Sequence, residues 1–140
     1  NNILYGGTGN DVLIATDSTG NNILNGGAGN DSLYGGLGTN TFAFDCYKEG
    51  SDSLYNFDAT KDRIQVSSHG FGGGLSTHSL KADQFTIAPS ATTSNQRFIY
   101  NDITGALYFD LDGSAHGFSQ VKFAQLSAGL SLTQNNFVVV

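Results

Sequence analysis

Aspartates recur near the start of the chain, each as the last residue of a glycine-rich hexapeptide. Asp11 ends residues 6–11 (GGTGND), and Asp31 ends residues 26–31 (GGAGND). Glycines allow a tight turn in which backbone carbonyls converge, and no histidine or cysteine lies in either hexapeptide. Carboxylate and carbonyl oxygens are the ligands that Ca²⁺ takes in sets of about six to eight. The spacing therefore indicates a site for a hard divalent cation.

The hexapeptides belong to a nine-residue repeat of the form GGxGxDxLx. Residues 6–14 and 26–34 match it in full, and residues 35–43 follow without a gap, with Asn and Phe in place of Asp and Leu. Two degenerate copies share parts of the pattern, at residues 17–25 and 47–55. A glycine-rich flexible linker would not hold leucine and aspartate in register, so the pattern favours a repeating structure.

Each repeat predicts a turn followed by a strand of about three residues whose central side chain points to one face. Two repeats make one turn of a flattened coil, so that alternate loops lie on the same side. The central side chains would stack inside it: Leu4, Leu13, Leu24, Leu33, Phe42 and Leu54. Aspartates stacked on one side repel each other, and a divalent cation between the loops would reverse that repulsion.

Composition and charge exclude several function classes. The chain has 140 residues, 12 acidic against 6 basic, and a net charge of −6, which argues against a nucleic acid or anionic membrane as partner. No apolar run approaches the roughly 18 residues of a membrane span. The lone Cys46 excludes a disulfide framework and a thiolate zinc site. The pattern begins in mid-repeat without a signal peptide, so we expect a fragment of a longer protein.

The nonapeptides resemble the RTX (repeats-in-toxin, haemolysin-type) calcium-binding repeat. The resemblance implies an all-β fold, with a parallel β-roll of RTX repeats over residues 1–55 and a mostly antiparallel β C-terminal cap over residues 56–140. The C-terminal part, from Phe98 to Val140, is similar to the ends of haemolysin-type proteins of Gram-negative bacteria. In that family such ends carry an uncleaved type I secretion signal, and here Asn136 stands where the family has an acid.

The family places each ion between two loops on the same side of the roll, which implies a ligand set here. The first site would take carbonyls and carboxylates from Gly7, Gly9, Asp11, Gly26, Ala28 and Asp31. The second, less complete because residues 47–49 depart from the pattern, would use Gly27, Gly29, Asp31 and Asp52. On the other side the sixth positions are Asn2, Asn22 and Asn40, so a site between residues 17–22 and 35–40 is expected to bind weakly or stay empty.

Two further segments partly match known functional motifs. The segment 110–114 (DLDGS) resembles the opening of an EF-hand loop but lacks the later glycine and glutamate, and a hairpin turn is favoured, with calcium binding at Asp110 and Asp112 left open. The glycine-rich segment 69–75 lacks the partner motifs of an esterase or a phosphate-binding loop, so it predicts a mobile surface loop.

The function implied by the resemblance is a calcium-binding module at the C-terminus of a secreted protein. It would fold on binding Ca²⁺ outside the cell, support type I secretion, and lie outside or on the surface of a Gram-negative bacterium. The alternatives are a calcium-dependent adhesin or polysaccharide-binding module with a glycan or cell-surface partner, or the non-catalytic tail of a secreted protease or lipase. Since neither HExxH nor GxSxG occurs, we expect no catalysis in this chain.

Overall fold

Short strands account for most of the regular structure in the computed structural model, which describes all of residues 1–140. The first seven strands are β1 (Asn2–Thr8), β2 (Val12–Ile14), β3 (Asn22–Ala28), β4 (Ser32–Tyr34), β5 (Asn40–Phe44), β6 (Asp52–Tyr55) and β7 (Arg63–Val66). The others are β8 (His78–Ser79), β9 (Phe85–Ile87), β10 (Phe98–Tyr100), β11 (Ala106–Phe109), β12 (Val121–Gln125) and β13 (Phe137–Val139). Single helical turns occur at α1 (Ser68–Phe71), Ala82–Gln84 and Gln134–Asn136. None of these helices has the length and hydropathy to cross a membrane.

The strands form two sheets whose order alternates along the chain. One sheet has the order β1-β3-β5-β7-β13-β8, and the other has the order β2-β4-β6-β12-β11-β10-β9. Within the repeats, β1, β3, β5 and β7 pair in parallel, as do β2, β4 and β6. Since successive strands lie in opposite sheets, the chain winds as a parallel β-roll, and this confirms the predicted fold class.

The predicted stack of central side chains runs through the roll. Leu24 lies in register with Leu4 and Phe42, and Phe42 with Ile64, while Leu33 is paired with Leu13 and Leu54. Leu24, Leu33 and Phe42 are completely buried, whereas Leu4 in the edge strand is half-buried. Complete burial of such a side chain contributes roughly 1.5–3 kcal/mol, so the stack is the main apolar support of the repeats.

The cap extends both sheets of the roll. β12 pairs in parallel with β6, and β13 pairs in parallel with β7. The cap contains a hairpin, because β10 and β11 pair antiparallel, and β12 continues this antiparallel order. β9 joins β10 in parallel, so the cap contains pairs of both kinds. The hydrophobic core is likewise continuous, and the domain boundary between residues 55 and 56 stays a prediction.

An aromatic cluster fills the space where the cap meets the roll. Phe71 lies at its centre, with ring centroids 5.1 Å from Phe109 and 5.3 Å from Phe123, and Tyr47 packs 4.8 Å from Phe109. Phe71 is 2% exposed, so the prediction of a mobile surface loop over residues 69–75 is wrong for its first part. A helical turn, Ser68–Phe71, directs this side chain inward, and the Ser68 hydroxyl donates to the carbonyl of Val140.

Candidate metal centre

The aspartates lie along one side of the roll, in the loops that lead from the first sheet to the second. We call this side, formed by residues 6–11, 26–31 and 45–52, the aspartate flank. The backbone NH of Asp11 donates to Oδ1 of Asp31 at 2.7 Å, and the NH of Asp31 donates to Oδ1 of Asp52 at 3.0 Å. Each turn therefore holds one carboxylate against the backbone of the previous turn, and the predicted register of the three aspartates is present.

Two carboxylates of the aspartate flank each keep a buried oxygen without a hydrogen-bond donor. Oδ2 of Asp11 and Oδ2 of Asp31 are buried and have no hydrogen-bond partner. An unsatisfied buried polar atom costs about 1–3 kcal/mol, and more when it is charged. No lysine or arginine compensates these charges, since the one salt bridge of the structure joins Lys61 to Asp58. The aspartate flank thus has anionic oxygens that need a cation.

The carbonyl oxygen of Gly26 lies near the carboxylate of Asp11. A β-carbon added to Gly6 would lie 2.5 Å from the carbonyl oxygen of Gly26 and 2.7 Å from Oδ2 of Asp11. A β-carbon added to Gly26 would collide with the carboxylate of Asp31. These two first-position glycines therefore leave room for oxygens where a side chain would otherwise stand.

Glycines at the second and fourth positions let successive turns approach closely. Gly27 and Gly29 have φ values of +87° and +137°, which side chains rarely adopt. A β-carbon at Gly27 would collide with the carbonyl of Gly7, and one at Gly29 with the carbonyl of Gly9. The carbonyl of Ala28, also predicted as a ligand, accepts a hydrogen bond from the Gly9 NH at 2.9 Å.

These oxygens fit the donor set that calcium requires. Carboxylates and carbonyls, without nitrogen or sulfur ligands, suit a hard cation with irregular coordination. Nowhere does the structure gather three or more His, Cys, Asp or Glu side chains around one point, so carbonyls would have to supply much of the coordination. The structure therefore places the residues of the first expected set on adjoining loops, and their ligation of calcium remains a proposal.

The second expected site continues the same geometry into a degenerate repeat. Gly50 has φ +122° and takes the fourth position, above the carbonyl of Gly29. Burial is the largest cause that raises the pKa of Asp52 to about 7, and the nearby Asp31 and Glu49 charges also raise it, whereas the Asp31 backbone NH lowers it. Tyr47, which replaces the first glycine, is buried in the aromatic cluster. This site therefore has fewer glycine-lined oxygens than the first.

The opposite side of the roll is built differently. We call it the asparagine flank; its loops, residues 15–21, 35–39 and 56–62, lead from the second sheet back to the first. Nδ2 of Asn2 donates to Oδ1 of Asn22 at 3.0 Å, and Nδ2 of Asn22 donates to Oδ1 of Asn40 at 3.0 Å. Nδ2 of Asn40 then donates to Oδ1 of Asp62 at 3.2 Å. The asparagines thus form a continuous ladder of side-chain hydrogen bonds.

Asp62 is the member of this ladder that the sequence reasoning missed. Its side chain is completely buried, Oδ1 accepts the Asn40 backbone NH at 2.8 Å, and Oδ2 accepts the Asp58 NH at 2.9 Å. The sequence carries a signal for it, because Asp62-Arg63-Ile64 repeats the Asp-x-aliphatic order of the nonapeptides. That signal is hidden because residues 56–61 contain no glycine.

The acidic pair in the cap lies on a turn, as the sequence predicts. The NH of Asp112 donates to Oδ1 of Asp110 at 3.2 Å, and Oδ2 of Asp112 accepts from the Gly117 NH at 3.0 Å. Burial is the largest cause that raises the pKa of Asp110; the backbone NH of Asp112 lowers this pKa, and the Asp112 carboxylate raises it. Oδ1 of Asp112 is buried without a hydrogen-bond partner, but no third acidic or histidine side chain joins the pair.

Comparison with known proteins supports the repeat and the fold. The model of the RTX calcium-binding nonapeptide repeat, which describes four copies, matches residues 1–19 and 14–42. Comparison with curated proteins finds no match. Among solved structures, the AlgE6R3 subunit of the Azotobacter vinelandii mannuronan C5-epimerase matches with 24% identity and a TM-score of 0.52, over 95% of this chain and 80% of that one. The structural match supports the β-roll fold, and the repeat match shows that residues 1–42 resemble the RTX nonapeptides, a calcium-binding type of repeat.

Proposed function

We propose that this RTX-repeat protein is an extracellular module whose aspartate flank completes its fold when calcium binds. The observation that carries the proposal is the pair of buried oxygens, Oδ2 of Asp11 and Oδ2 of Asp31, that have no hydrogen-bond donor. A cation that compensates such atoms stabilises the folded state that buries them. Binding free energy then becomes folding free energy.

Two groups of residues would hold the ions. The first comprises the carboxylates and carbonyls of Gly7, Gly9, Asp11, Gly26, Ala28 and Asp31. The second comprises those of Gly27, Gly29, Asp31 and Asp52. Calcium, when bound, supplies positive charge that offsets the repulsion between stacked carboxylates. Because Asp31 belongs to both groups, it links the two ions.

Calcium dependence would tie folding to location. Extracellular calcium modules work at about 10⁻⁴–10⁻³ M, far above free cytosolic calcium. The aspartate flank would stay open inside a Gram-negative cell, and the chain would pass the type I secretion machinery before closing outside. The C-terminal residues would form part of the export signal and, after export, the buried strand β13. RTX repeats, which are typical of secreted bacterial proteins, support this proposal.

Calcium titration of matched variants tests the proposal. Asp31→Asn keeps the size of the side chain but removes its charge, and Asp102→Asn makes the same change at an exposed site outside the roll. We expect calcium to increase the β-sheet circular dichroism of the wild type and of Asp102→Asn. Calorimetry should show weaker binding, by at least about tenfold, for Asp31→Asn, because a negative charge is lost at both sites. Binding of calcium by Asp31→Asn as tightly as by the wild type would contradict the proposal.

A second candidate is a polysaccharide-binding role. A shallow groove of about 390 Å³ crosses the outer face of the first sheet, where the side chains of Asn21, Thr39 and Thr41 lie beside Ile23. Amides and hydroxyls beside apolar surface are the groups that bind sugar rings and their hydroxyls. A glycan array, with calcium and with EGTA, would test it. A double variant, Asn21→Ala with Thr39→Ala, is expected to lose binding to any glycan that the wild type binds. Unchanged binding by this variant would exclude the groove as the glycan site.

We further propose that this chain contributes no catalysis, although a longer parent protein could carry a catalytic domain. The repeat module is a calcium-binding fold, and its residues are engaged in the ladder, the loops and the core. Protease and lipase zymography of the calcium-loaded chain should show no cleared zone. A calcium-dependent zone from the purified chain would contradict this part of the proposal.

A further inference from the structure

The side-chain amides of the asparagine flank donate hydrogen bonds to carbonyls at the second and fourth positions of their hexapeptides. On the aspartate flank, the carbonyls at these positions are expected calcium ligands. Nδ2 of Asn22 donates to the carbonyl of Gly20 at 3.0 Å. Nδ2 of Asn40 donates to the carbonyls of Gly38 at 3.1 Å and Gly36 at 3.0 Å. Within their hexapeptides, Gly20 and Gly38 are fourth residues and Gly36 is a second residue. The side-chain NH₂ groups of Asn22 and Asn40 are therefore the hydrogen-bond donors to these carbonyl oxygens.

The corresponding carbonyls of the aspartate flank have no such donor from a side chain. There the second and fourth positions are Gly7 and Gly9 in one turn, and Gly27 and Gly29 in the next. The sixth-position side chain of these turns is a carboxylate, which can only accept. One flank thus carries its own donor at each turn, while the other requires an external positive charge.

The oxygens of the asparagines are also satisfied. Oδ1 of Asn22 accepts from Nδ2 of Asn2 and from the Ser18 hydroxyl, the latter at 2.9 Å. Oδ1 of Asn40 accepts the Gly36 NH at 3.0 Å in addition to the amide of Asn22. Neither Asn22 nor Asn40 has a buried atom without a partner, although they are 1% and 0% exposed. The ladder therefore needs no ion to complete it.

The two flanks also differ in charge, and the aspartate flank is the more negative of the two. Asp11, Asp31 and Asp52 stack on the aspartate flank, whereas the ladder contains the single carboxylate of Asp62, which accepts three hydrogen bonds. Removal of calcium would leave mutual repulsion on the aspartate flank only. Neutral amides gain hydrogen bonds from stacking instead of repelling each other.

We propose that the asparagine flank is a metal-independent counterpart of the calcium sites, in which the NH₂ groups of Asn22 and Asn40 take the place of the ions. This inference rests on the proposed function and specifies its regulation. Calcium closes the aspartate flank, while the asparagine flank keeps its hydrogen bonds in both conditions. The module thus retains a folded template against which the aspartate flank closes.

Hydrogen exchange of the wild-type chain in EGTA and in calcium tests the contrast directly. The reporters on the asparagine flank are the Asn22 NH, bonded to the Thr39 carbonyl at 3.0 Å, and the Leu37 NH, bonded to that of Ser18 at 2.8 Å. The reporters on the aspartate flank are the NH groups of Gly29 and Asp31. We expect calcium to slow exchange at least about tenfold on the aspartate flank and less than about threefold on the asparagine flank.

The possible outcomes separate the two proposals. Equal loss of protection on both flanks in EGTA would overturn the inference and leave the proposed function intact. Protection that calcium changes on neither flank would overturn the proposed function and, with it, the contrast between the flanks. Protection lost on the asparagine flank alone would also overturn the inference.

A charge exchange between the flanks provides the second test. Asn22→Asp combined with Asn40→Asp removes the donor NH₂ groups and adds like charges, so this variant should lose stability in EGTA and regain it in calcium. Asp11→Asn combined with Asp31→Asn should lose calcium binding and yet melt at the same temperature with and without calcium. An Asn22→Asp, Asn40→Asp variant as stable in EGTA as the wild type would overturn the inference, even if the reciprocal variant fails to fold.

Discussion

Two second-position glycines in successive turns of the roll form a matched pair. Gly7 and Gly27 both have positive φ, +106° and +87°. A β-carbon at Gly7 would meet nothing within 4 Å, whereas one at Gly27 would collide with the carbonyl oxygen of Gly7 and lie 2.9 Å from its carbonyl carbon. Alanine at either position suffers the same type of backbone strain, but only at Gly27 does it separate the turns.

The structure sets the size of the difference. A β-carbon in the left-handed region costs roughly 1–2 kcal/mol, so Gly7→Ala should lower the free energy of unfolding by about that amount. Overpacking adds about 1–3 kcal/mol, so Gly27→Ala should lower it by about 2–5 kcal/mol. Gly27→Ala should also weaken calcium binding, because the displaced carbonyl of Gly7 is an expected ligand.

Urea denaturation in saturating calcium, followed by circular dichroism, measures both variants, and calorimetry measures their calcium affinity. Because the chain remains the same elsewhere, the difference between the variants isolates the contact between turns. A Gly7→Ala variant that is destabilised as much as Gly27→Ala, or more, would refute the close stacking of the carbonyls on the aspartate flank.

Three further outcomes are expected. Phe71→Ala should cost about 3–5 kcal/mol in urea denaturation, and Phe118→Ala, at a 57% exposed position, less than about 0.5; equal losses would contradict the aromatic cluster. Tyr100→Phe should cost about 1–3 kcal/mol, because the Ser127 carbonyl and Leu130 NH lose their hydroxyl partner; no loss would contradict those bonds. Burial raises the pKa of Asp52 from 3.8 to about 7, so without calcium the unfolding free energy should fall as the pH rises through that range, while calcium affinity rises. Asp52→Asn should flatten both profiles, and an unchanged pH profile would contradict the assignment.

The repeating part of the fold could be predicted from the sequence because the residues of each nonapeptide determine its own turn and strand. Leu24 and Leu33 stand at the centre of their strands, and Asp11 and Asp31 end their loops, so register follows from the repeat length alone. The hairpin of β10 and β11 has a local signal as well, since aromatic strands flank a short turn ending in Gly105.

The cap depends on contacts that no local pattern specifies. Phe71 lies in a glycine-rich segment without period, and its burial requires strands that come from residues 98–125. The way in which β12 and β13 extend the two roll sheets is likewise set by packing over long sequence separations. Such packing depends on side-chain shape, which the sequence pattern does not describe.

Only part of the candidate site could likewise be predicted from the sequence. Residue types alone indicated that the aspartates favour calcium and that the asparagines weaken it. They did not indicate which way the asparagine amides turn, because an amide both donates and accepts. The direction follows from the positions of the Gly20 and Gly38 carbonyls, and it converts a weak calcium site into a ladder of hydrogen bonds. Asp62, outside any glycine repeat, completes that ladder.

Anomalous X-ray scattering from crystals grown in calcium would locate the ions in the two flanks. We expect an anomalous peak between the loops of Asp11 and Asp31, within bonding distance of their Oδ2 atoms, and no peak beside Asn22 and Asn40. Absence of a peak on the aspartate flank, or a peak on the asparagine flank, would contradict this expectation.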